Sequence, residues 1–543
     1  MVGRYNGSMP CEADHPPDDV EALKALLAEQ RARADAHEAI VVEHEEKLAE
    51  QQSQLQQKDV RIAALQEQLN LLTAKRYGPS SEKADAGQMA LFDEAEAALE
   101  AEDEEEPEAA TTPARPRKKP GRRPLPDDIE RVDVLHDLPE ADKRCPHDGT
   151  PLERMGEEVS EQLDVIPARV RVLRHVRPRY GCPCCREGVT TAKMPPQPIP
   201  KSIASPGLLA QVCTGKYADA LPLHRQEAIL QRTGVDIPRA TLAGWVLKLG
   251  ELVVPLTNLL RDTLLGSDII QMDETTVSVL KEPDRPATST SYMWVQRGGP
   301  PDKPVVLFDY EPTRSQSVPT RLLEGFAGHL QCDGYGGYNA VGRSPGVRLV
   351  GCWAHARRKF DEAARAQGKK GSGKPTGRAG KGLSFIQKLY RVEKQAAEAT
   401  ADQRRELRQS QAVPVLDELR AWLDETRPQV PPKSAVGKAL HYLDSEWDKL
   451  VRYVEDGRLA IDNNAAERAI RPFVVGRNNW LFSDTPKGAH ASARLYSLIS
   501  TARANGHEPY QYLHHVFKEL PAAESIEELE ALLPFNLDPE SLN

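Results

Sequence analysis

Three acidic residues lie where a carboxylate could do chemistry. Asp273 stands within the apolar, β-rich segment DIIQMDETTVSVL, Asp333 follows the short segment HLQC, and Glu467 falls in the first turns of IDNNAAERAIRPF. Asp is depleted in strands, and burying its charge is costly unless a partner or a metal ion neutralises it. Asp273 is therefore interpreted as a paired or metal-bound carboxylate, with Asp333 and Glu467 as further candidates. The alternative is that the three acids are unrelated.

The elements that must position these acids are strands followed by a helix. DIIQMDETTVSVL, TSYMWVQRG and KPVVLFDYEP are β-rich and separated by turn residues, and RLVGCWAHARRKF runs from a strand into a helix. The helix that carries Glu467 should begin at Asp462 or Asn463 and be limited by Pro472. This pattern predicts an α/β core of the ribonuclease-H-like kind, over residues 261–362 and 456–510.

An inserted domain should separate the second acid from the third. Asp333 and Glu467 are 134 residues apart, which is too long for one connection, and residues 363–455 read as an all-α insertion. We expect this insertion to hold the substrate against the site. Its GKKGSGK segment is similar to a phosphate-binding loop, but Pro375 follows it, so a flexible basic loop is the better interpretation, with Lys369 and Lys370 as candidate contacts to backbone phosphate. Residues 511–543 should form a C-terminal helical segment.

Composition bounds the class of protein. The chain has 543 residues, enough for about three or four domains. Its net charge of −10 excludes a basic signature for the whole chain, yet residues 111–250 carry 23 Lys and Arg against 17 Asp and Glu. Such a region is expected to touch phosphates.

Eight cysteines are too few for a disulfide scaffold. Without an apolar run of about 18–20 residues, we expect no membrane association and a cytoplasmic, nucleoid-associated protein.

The N-terminal region predicts a coiled coil over residues 19–76. Apolar residues recur every seven positions, at Leu27, Ala34, Val41, Leu48, Leu55, Ile62 and Leu69. The second core position of the heptad is mostly polar, so the coiled coil should be only marginally stable. Self-association is its expected use, and a single solvated helix is the alternative.

A linker with opposite charges in tandem should follow over residues 77–125. Residues 93–108 carry ten acids and no base, whereas residues 115–124 carry six bases and no acid. An extended arginine-rich strip fits a DNA minor groove, and a solvated linker is the alternative. The candidate DNA-binding residues of this strip are Arg115, Arg117, Lys118, Lys119, Arg122 and Arg123.

Residues 126–195 predict a small zinc-ribbon-like β domain. The segments CPHDG and YGCPCCREG form two knuckles, and the candidate zinc ligands are Cys145, Asp148, Cys182 and Cys185. Asp148 stands where a second cysteine is expected, and His147 is another donor. A degenerate ribbon without metal is the alternative.

Residues 196–260 predict a helix-turn-helix. Gly234 separates LPLHRQEAILQRT from IPRATLAGWVLKL, so Arg239 and Thr241 would begin the recognition helix. An ordinary helical hairpin is the alternative.

Taken together, the motifs resemble those of a DDE transposase of the insertion-sequence-sixty-six family. The resemblance covers nearly the whole chain and includes KPGRRPLP, KYADALPLHRQ, QMDET, CDGYGGY, GCWAHARRKF and DNNAAERAIRPFVVGRNNWLF. It implies a catalytic triad of Asp273, Asp333 and Glu467 that holds two Mg²⁺ or Mn²⁺ ions, with Asp273 bridging both. It also implies DNA ends and target DNA as substrates, and accessory proteins of the same element as partners.

Other residues of these motifs have two interpretations each. Arg468 and Arg471, next to Glu467, could meet phosphate; His355 is either catalytic or structural; Trp480 either stacks on a base or packs in the core. For the whole chain, the alternatives to a transposase are a structure-selective nuclease without strand transfer and a catalytically inactive DNA-binding protein.

Overall fold

The computed structural model describes residues 20–77, 170–177, 179–181, 189–191, 193–366 and 377–542. Several predicted features lie outside these residues: the linker from residue 78 onward, most of the zinc-ribbon-like region, and the loop that holds Lys369 and Lys370.

Helices dominate the described residues, and the strands are short. The helices are α1 (Val20–Tyr77), α2 (Pro206–Tyr217), α3 (Leu223–Arg232), α4 (Arg239–Leu252), α5 (Val254–Leu265), α6 (Ser317–Leu322), α7 (Trp353–Ala366), α8 (Gly377–Gln395), α9 (Ala401–Leu407), α10 (Val413–Thr426), α11 (Ala435–Ser445), α12 (Trp447–Leu450), α13 (Asn464–Trp480), α14 (Pro486–Ala504), α15 (Pro509–Glu519) and α16 (Ile526–Ala531). The strands are β1 (Arg179–Gly181), β2 (Val189–Thr191), β3 (Ile269–Ser278), β4 (Thr290–Gly298), β5 (Val305–Glu311), β6 (Gly328–Gln331) and β7 (Val347–Val350).

The chain forms two compact units, and a five-stranded mixed sheet lies in the larger of them. Its strand order is β5-β4-β3-β6-β7. The first three strands in sequence are antiparallel neighbours, whereas β6 pairs parallel with both β3 and β7. Branched and aromatic residues dominate the strands, as the sequence predicted, and both faces of the sheet are largely buried.

Helix α14 covers the open edge of β5. The backbone N–H of Phe308 donates to Ser497 Oγ at 2.8 Å, and that of Val306 donates to Thr501 Oγ1 at 3.1 Å. The Thr501 hydroxyl in turn donates to the Val306 carbonyl at 2.9 Å. The Ser497 and Thr501 hydroxyls lie one helical turn apart. They therefore form the hydrogen bonds that a further strand would otherwise make with the backbone of β5.

The helices between β7 and α13 pack around their own apolar core. Phe360 of α7, Leu389 of α8, Leu419 of α10 and Leu440 of α11 all belong to this one buried cluster. Helix α7 therefore packs with the inserted helices and crosses residue 363, where the sequence predicted that the insertion begins.

Two polar contacts tie this helical insertion to the start of α13. The Tyr390 hydroxyl on α8 donates to Asp462 Oδ2 at 2.8 Å, and Asp462 Oδ1 accepts the Asn464 N–H at 3.2 Å. The buried Arg408 guanidinium pairs with Glu393 at 2.7 Å and donates to the Leu459 carbonyl at 2.9 Å. The insertion thereby fixes the backbone that enters α13.

Replacing Tyr390 by Phe should destabilise the protein. The buried Asp462 carboxylate would lose a donor, so the free energy of unfolding should fall by about 1–3 kcal/mol, measured by thermal and urea denaturation. Tyr453→Phe is the matched control, because its hydroxyl is buried without a partner in the described part of the chain. Equal losses for the two variants would contradict the assigned role of the Tyr390 hydroxyl.

The prediction that Pro472 limits its helix was wrong. Helix α13 runs from Asn464 to Trp480 with Pro472 inside it. Proline removes one N–H donor from a helix and crowds the preceding turn. Burial of Ile470, Phe473 and Val474 offsets that cost and carries the helix past the proline.

The N-terminal helix α1 is continuous over 58 residues. Its heptad residues Leu27, Val41, Leu48 and Ile62 are between 53% and 57% exposed, which leaves an apolar stripe open to solvent. Among the described helices, no single one has the length and apolarity to cross a bilayer; α4 and α5, bent by 48°, pass that test only as a pair.

A second compact unit contains the antiparallel β1–β2 hairpin together with residues 228–236. Within it, Gly234 has a φ of +85° and ends the turn after α3. Helix α4 then begins at Arg239, and the helix-turn-helix stays a prediction.

Candidate active site

Strand pairing brings Asp273 and Asp333 to the same edge of the sheet. In the parallel pair of β3 and β6, Gln271 lies opposite Gln331, and a buried hydrogen bond of 2.9 Å joins their side chains. Asp273 and Asp333 each follow two residues later. Because residues at this interval point to the same face of a strand, both carboxylates lie at one level beyond the last pair.

Helix α13 brings Glu467 to the same place. Asn463, just before the helix, donates from Nδ2 to the Met272 carbonyl at 2.9 Å, and its backbone N–H donates to Cys352 Sγ at 3.2 Å. These bonds fix the start of the helix beside Asp273. Glu467 stands one turn later and is 2% exposed.

The electrostatics of the three acids show that they interact. Burial raises the pKa of Asp273 well above its usual range, and the charges of Glu274, Glu467 and Asp333 raise it further. Burial also raises the pKa of Glu467 to about 8, with additional upward contributions from Asp462 and Asp333 and an opposing one from Arg358. Three carboxylates that repel one another in a desolvated place require protons or cations.

Three buried oxygens near the start of α13 have acceptor capacity that a cation could use. Glu467 Oε1, Asn463 Oδ1 and Asn464 Oδ1 are buried, and none has a hydrogen-bond partner within the described ranges. Buried polar atoms are normally satisfied. The three acids offer carboxylate oxygens, which are ligands that Mg²⁺ and Mn²⁺ prefer. The residues present therefore fit a hard divalent cation.

His355 lies beside the third acid. Its Nδ1 is 3.8 Å from Glu467 Oε1, and burial lowers its pKa to about 4. The imidazole is therefore neutral at physiological pH and does not form an ion pair. Among the described residues, one group of three His, Cys, Asp or Glu ligand atoms lies within 4.8 Å of one another, and it consists of Cys352, His355 and Glu467 without Asp273 or Asp333. The Cys352 sulfur already accepts the Asn463 N–H.

Two residues of this neighbourhood were missed in the sequence. Glu274 is buried directly after Asp273, and Arg314, on the loop after β5, pairs with it. Burial and the charge of Asp333 raise the pKa of Glu274 to about 7, whereas Arg314 lowers it. The doublet Asp273-Glu274 within an apolar strand was the available signal. No sequence signal marked Arg314.

The remaining candidates are placed as follows. Arg468 and Arg471 are exposed on α13, and Arg239 and Thr241 are exposed on the first turn of α4. Trp480 packs edge-on against Phe473 at a centroid distance of 5.6 Å, which is core packing. The candidates outside the described residues are Arg115, Arg117, Lys118, Lys119, Arg122, Arg123, Cys145, Asp148, Cys182, Cys185, Lys369 and Lys370.

Four protein-family models match successive parts of the chain. "Transposase C of IS166 homeodomain" matches residues 64–134, and "zinc-finger binding domain of transposase IS66" matches residues 142–186. "Transposase IS66 family" matches residues 201–491, and "IS66 C-terminal element" matches residues 497–535. The largest match spans the sheet, the helical insertion and α13.

Relatives of similar length occur in Sinorhizobium fredii. The uncharacterized protein y4qI is 30% identical over 547 residues, which cover 97% of this chain and 98% of that protein. The uncharacterized protein y4jD is 31% identical over 80% of this chain and 86% of its own length. The uncharacterized protein y4hP is 30% identical over 87% of this chain and 88% of its own length.

Proposed function

Because the chain belongs to the IS66 transposase family, we propose that it cuts and joins DNA by a DDE mechanism with Asp273, Asp333 and Glu467 as its acidic triad. Its layout of N-terminal coiled-coil region, zinc-finger-like domain and transposase core is that of the family. The observation that carries the proposal is the register of β3 and β6, which sets two acids side by side where the start of α13 supplies the third.

The sheet supports a ribonuclease-H-like core. Three antiparallel strands in sequence order, followed by two strands parallel to the first, give the spatial order β5-β4-β3-β6-β7. The sequence predicted a ribonuclease-H-like sheet without giving a strand order. The mixed sheet with helices packed on it is consistent with that assignment.

Asp273, Asp333 and Glu467 would hold two Mg²⁺ or Mn²⁺ ions. When bound, such ions activate an attacking oxygen and stabilise the leaving oxygen of a phosphodiester. The chain's own contribution is to fix the carboxylates on rigid elements, to exclude water around Glu467, and to keep the neighbouring His355 uncharged.

The partners follow from the same family assignment. DNA ends and target DNA would be the substrates, with Arg239, Thr241, Arg468 and Arg471 as exposed contacts. The exposed heptad stripe of α1 would mediate self-association, accessory proteins of the same element would assist, and zinc would occupy the zinc-finger-like domain.

A strand-transfer assay tests this function. The protein is incubated with Mg²⁺, a 5′-labelled duplex of the element's end with a free 3′-OH, and a supercoiled plasmid. We expect the label to become covalently joined to the plasmid. A duplex with a 3′-deoxy terminus is the control and should give no joined product. Cleavage of uncut ends without any joining would instead identify a structure-selective nuclease.

A further inference from the structure

An ionic group beside the three acids has no part in the proposed mechanism. The Glu274 side chain is 1% exposed, and Arg314 donates from Nε to its Oε1 at 2.5 Å while Nη2 contacts the same oxygen. The Tyr338 hydroxyl donates to the other oxygen of Glu274. Because protein donors occupy both oxygens, the Glu274 carboxylate is not open to a metal ion.

Tyr335 holds Arg314 from a second direction. The guanidinium carbon lies 3.8 Å from the centroid of the Tyr335 ring, and the Tyr335 hydroxyl donates to the Arg314 carbonyl. The backbone N–H of Tyr335 donates to Asp333 Oδ1 at 2.9 Å. The same tyrosine therefore orients both Arg314 and Asp333, and it fixes the plane of the guanidinium.

Part of the guanidinium remains open toward the acidic site. Nη2 of Arg314 is 3.9 Å from Asp333 Oδ2, and the side chain is 37% exposed. Within the described residues, Nη1 has no hydrogen-bond partner. The Arg314 guanidinium is held along one edge by Glu274 and on one face by the Tyr335 ring, and its remaining donors face solvent. Such a cation suits an anion that must approach the neighbouring carboxylate.

Building on the proposed function, we propose that Arg314 binds a backbone phosphate of the DNA strand that enters the site, with Glu274 as its positioning residue. A phosphate that approaches three acids meets repulsion. Arg314 supplies positive charge at the rim of the acids without occupying their metal-binding oxygens. A purely structural Arg314 would only neutralise Glu274 and would leave DNA affinity unchanged.

A charge-neutral double variant separates these two roles. Glu274→Gln combined with Arg314→Gln removes both charges of the pair and leaves side chains that can hydrogen bond to each other. Glu311→Gln combined with Arg321→Gln is the matched control, because this second ion pair joins β5 to α6. The dissociation constant for a fluorescein-labelled duplex of the element's end is measured by anisotropy, without divalent metal, over a series of NaCl concentrations.

We expect the Glu274/Arg314 double variant to bind about 5–20-fold more weakly than the unchanged protein, with a salt slope smaller by about one. The control pair should bind as the unchanged protein does. Since the assay involves no turnover, it stays informative even if the chain joins no DNA. An unchanged dissociation constant and slope in the folded double variant would overturn the proposal.

Arg314→Lys keeps the test decisive if the double variant does not fold. Lysine retains the charge beside Glu274 but lacks the planar fork that can hold Glu274 and a phosphate together. We expect an unchanged melting temperature and about 3–10-fold weaker DNA binding. Unchanged binding by this variant would overturn the proposal in that case.

Discussion

An Asp273→Asn variant is expected to lose end cleavage by about 10³-fold or more while binding the same DNA as tightly as the unchanged protein. The substitution keeps the shape of the side chain but removes the charge that would hold cations between the carboxylates. Asp333→Asn and Glu467→Gln should each cost as much as all three changes together, because a triad that acts as one unit is not additive. Gel-based cleavage rates and anisotropy titrations measure the two properties separately.

Glu274→Gln is the control for this prediction. It removes a negative charge from the neighbouring residue of the same strand, but the Glu274 carboxylate is already occupied by Arg314 and Tyr338. We expect it to reduce cleavage by less than about 10-fold. If Asp273→Asn cleaved DNA as fast as the unchanged protein does, Asp273 would not belong to the catalytic triad. If Glu274→Gln bound DNA as tightly as the unchanged protein yet were as inactive as Asp273→Asn, the assignment of the triad would be wrong.

The strands and helices around the site were predictable because their sequences are locally consistent. QMDETTV, YMWV and VVLF are rich in branched and aromatic residues, and the structure has strands there. The inserted helices were predictable from their helical segments and from the long separation of Asp333 and Glu467. Membership of the transposase family followed from motifs spread over the whole chain, and the family models confirm it.

The register that aligns Asp273 with Asp333 could not be read from the sequence. It depends on which residue of β6 lies opposite Gln271, and the buried Gln331 side chain supports that pairing only in three dimensions. The role of Asn463 was partly hidden for the same reason. It was predicted as a helix cap, but its side chain instead anchors α13 to the Met272 carbonyl. Pro472 misled the prediction because local propensity yields to tertiary burial.

Arg314 shows the limit of reading motifs. It lies in an ordinary loop, EPTRSQ, and no spacing relates it to Glu274, forty residues earlier. Only the fold sets its guanidinium over the Tyr335 ring and near Asp333. Arg314 contacts Glu274, the neighbour of Asp273. A charged residue of this kind is therefore recognised from the structure and not from the motif.

Binding of Mn²⁺ or Mg²⁺ should release protons at neutral pH. In the metal-free protein, the pKa of Glu467 is raised from 4.5 to about 8, and that of Asp273 is raised well above 3.8. Glu467 therefore holds a proton at pH 7 that a cation must displace. Metal affinity should rise with pH by up to about 10-fold per pH unit for each proton released, and level off once Glu467 is ionised.

The same shift predicts how stability depends on pH without metal. Between about pH 4.5 and 8 the folded chain keeps a proton on Glu467 that the unfolded chain has released. The free energy of unfolding should therefore fall as pH rises through this window, and Glu467→Gln should remove that part of the fall. Thermal denaturation in metal-free buffer, with and without added Mn²⁺, measures both effects, and Mn²⁺ should raise the melting temperature most above pH 8.

Calorimetry of Mn²⁺ binding in buffers of different ionisation enthalpy counts the protons directly. At pH 7 we expect at least about one proton per chain, from Glu467, and about one fewer in Glu467→Gln. Glu274→Gln should release as many as the unchanged protein, although the Glu274 pKa is raised to about 7, because Arg314 and Tyr338 hold its oxygens. If Glu274→Gln abolished proton release and Glu467→Gln did not, the metal would be held by the pair on β3, and α13 would carry no ligand.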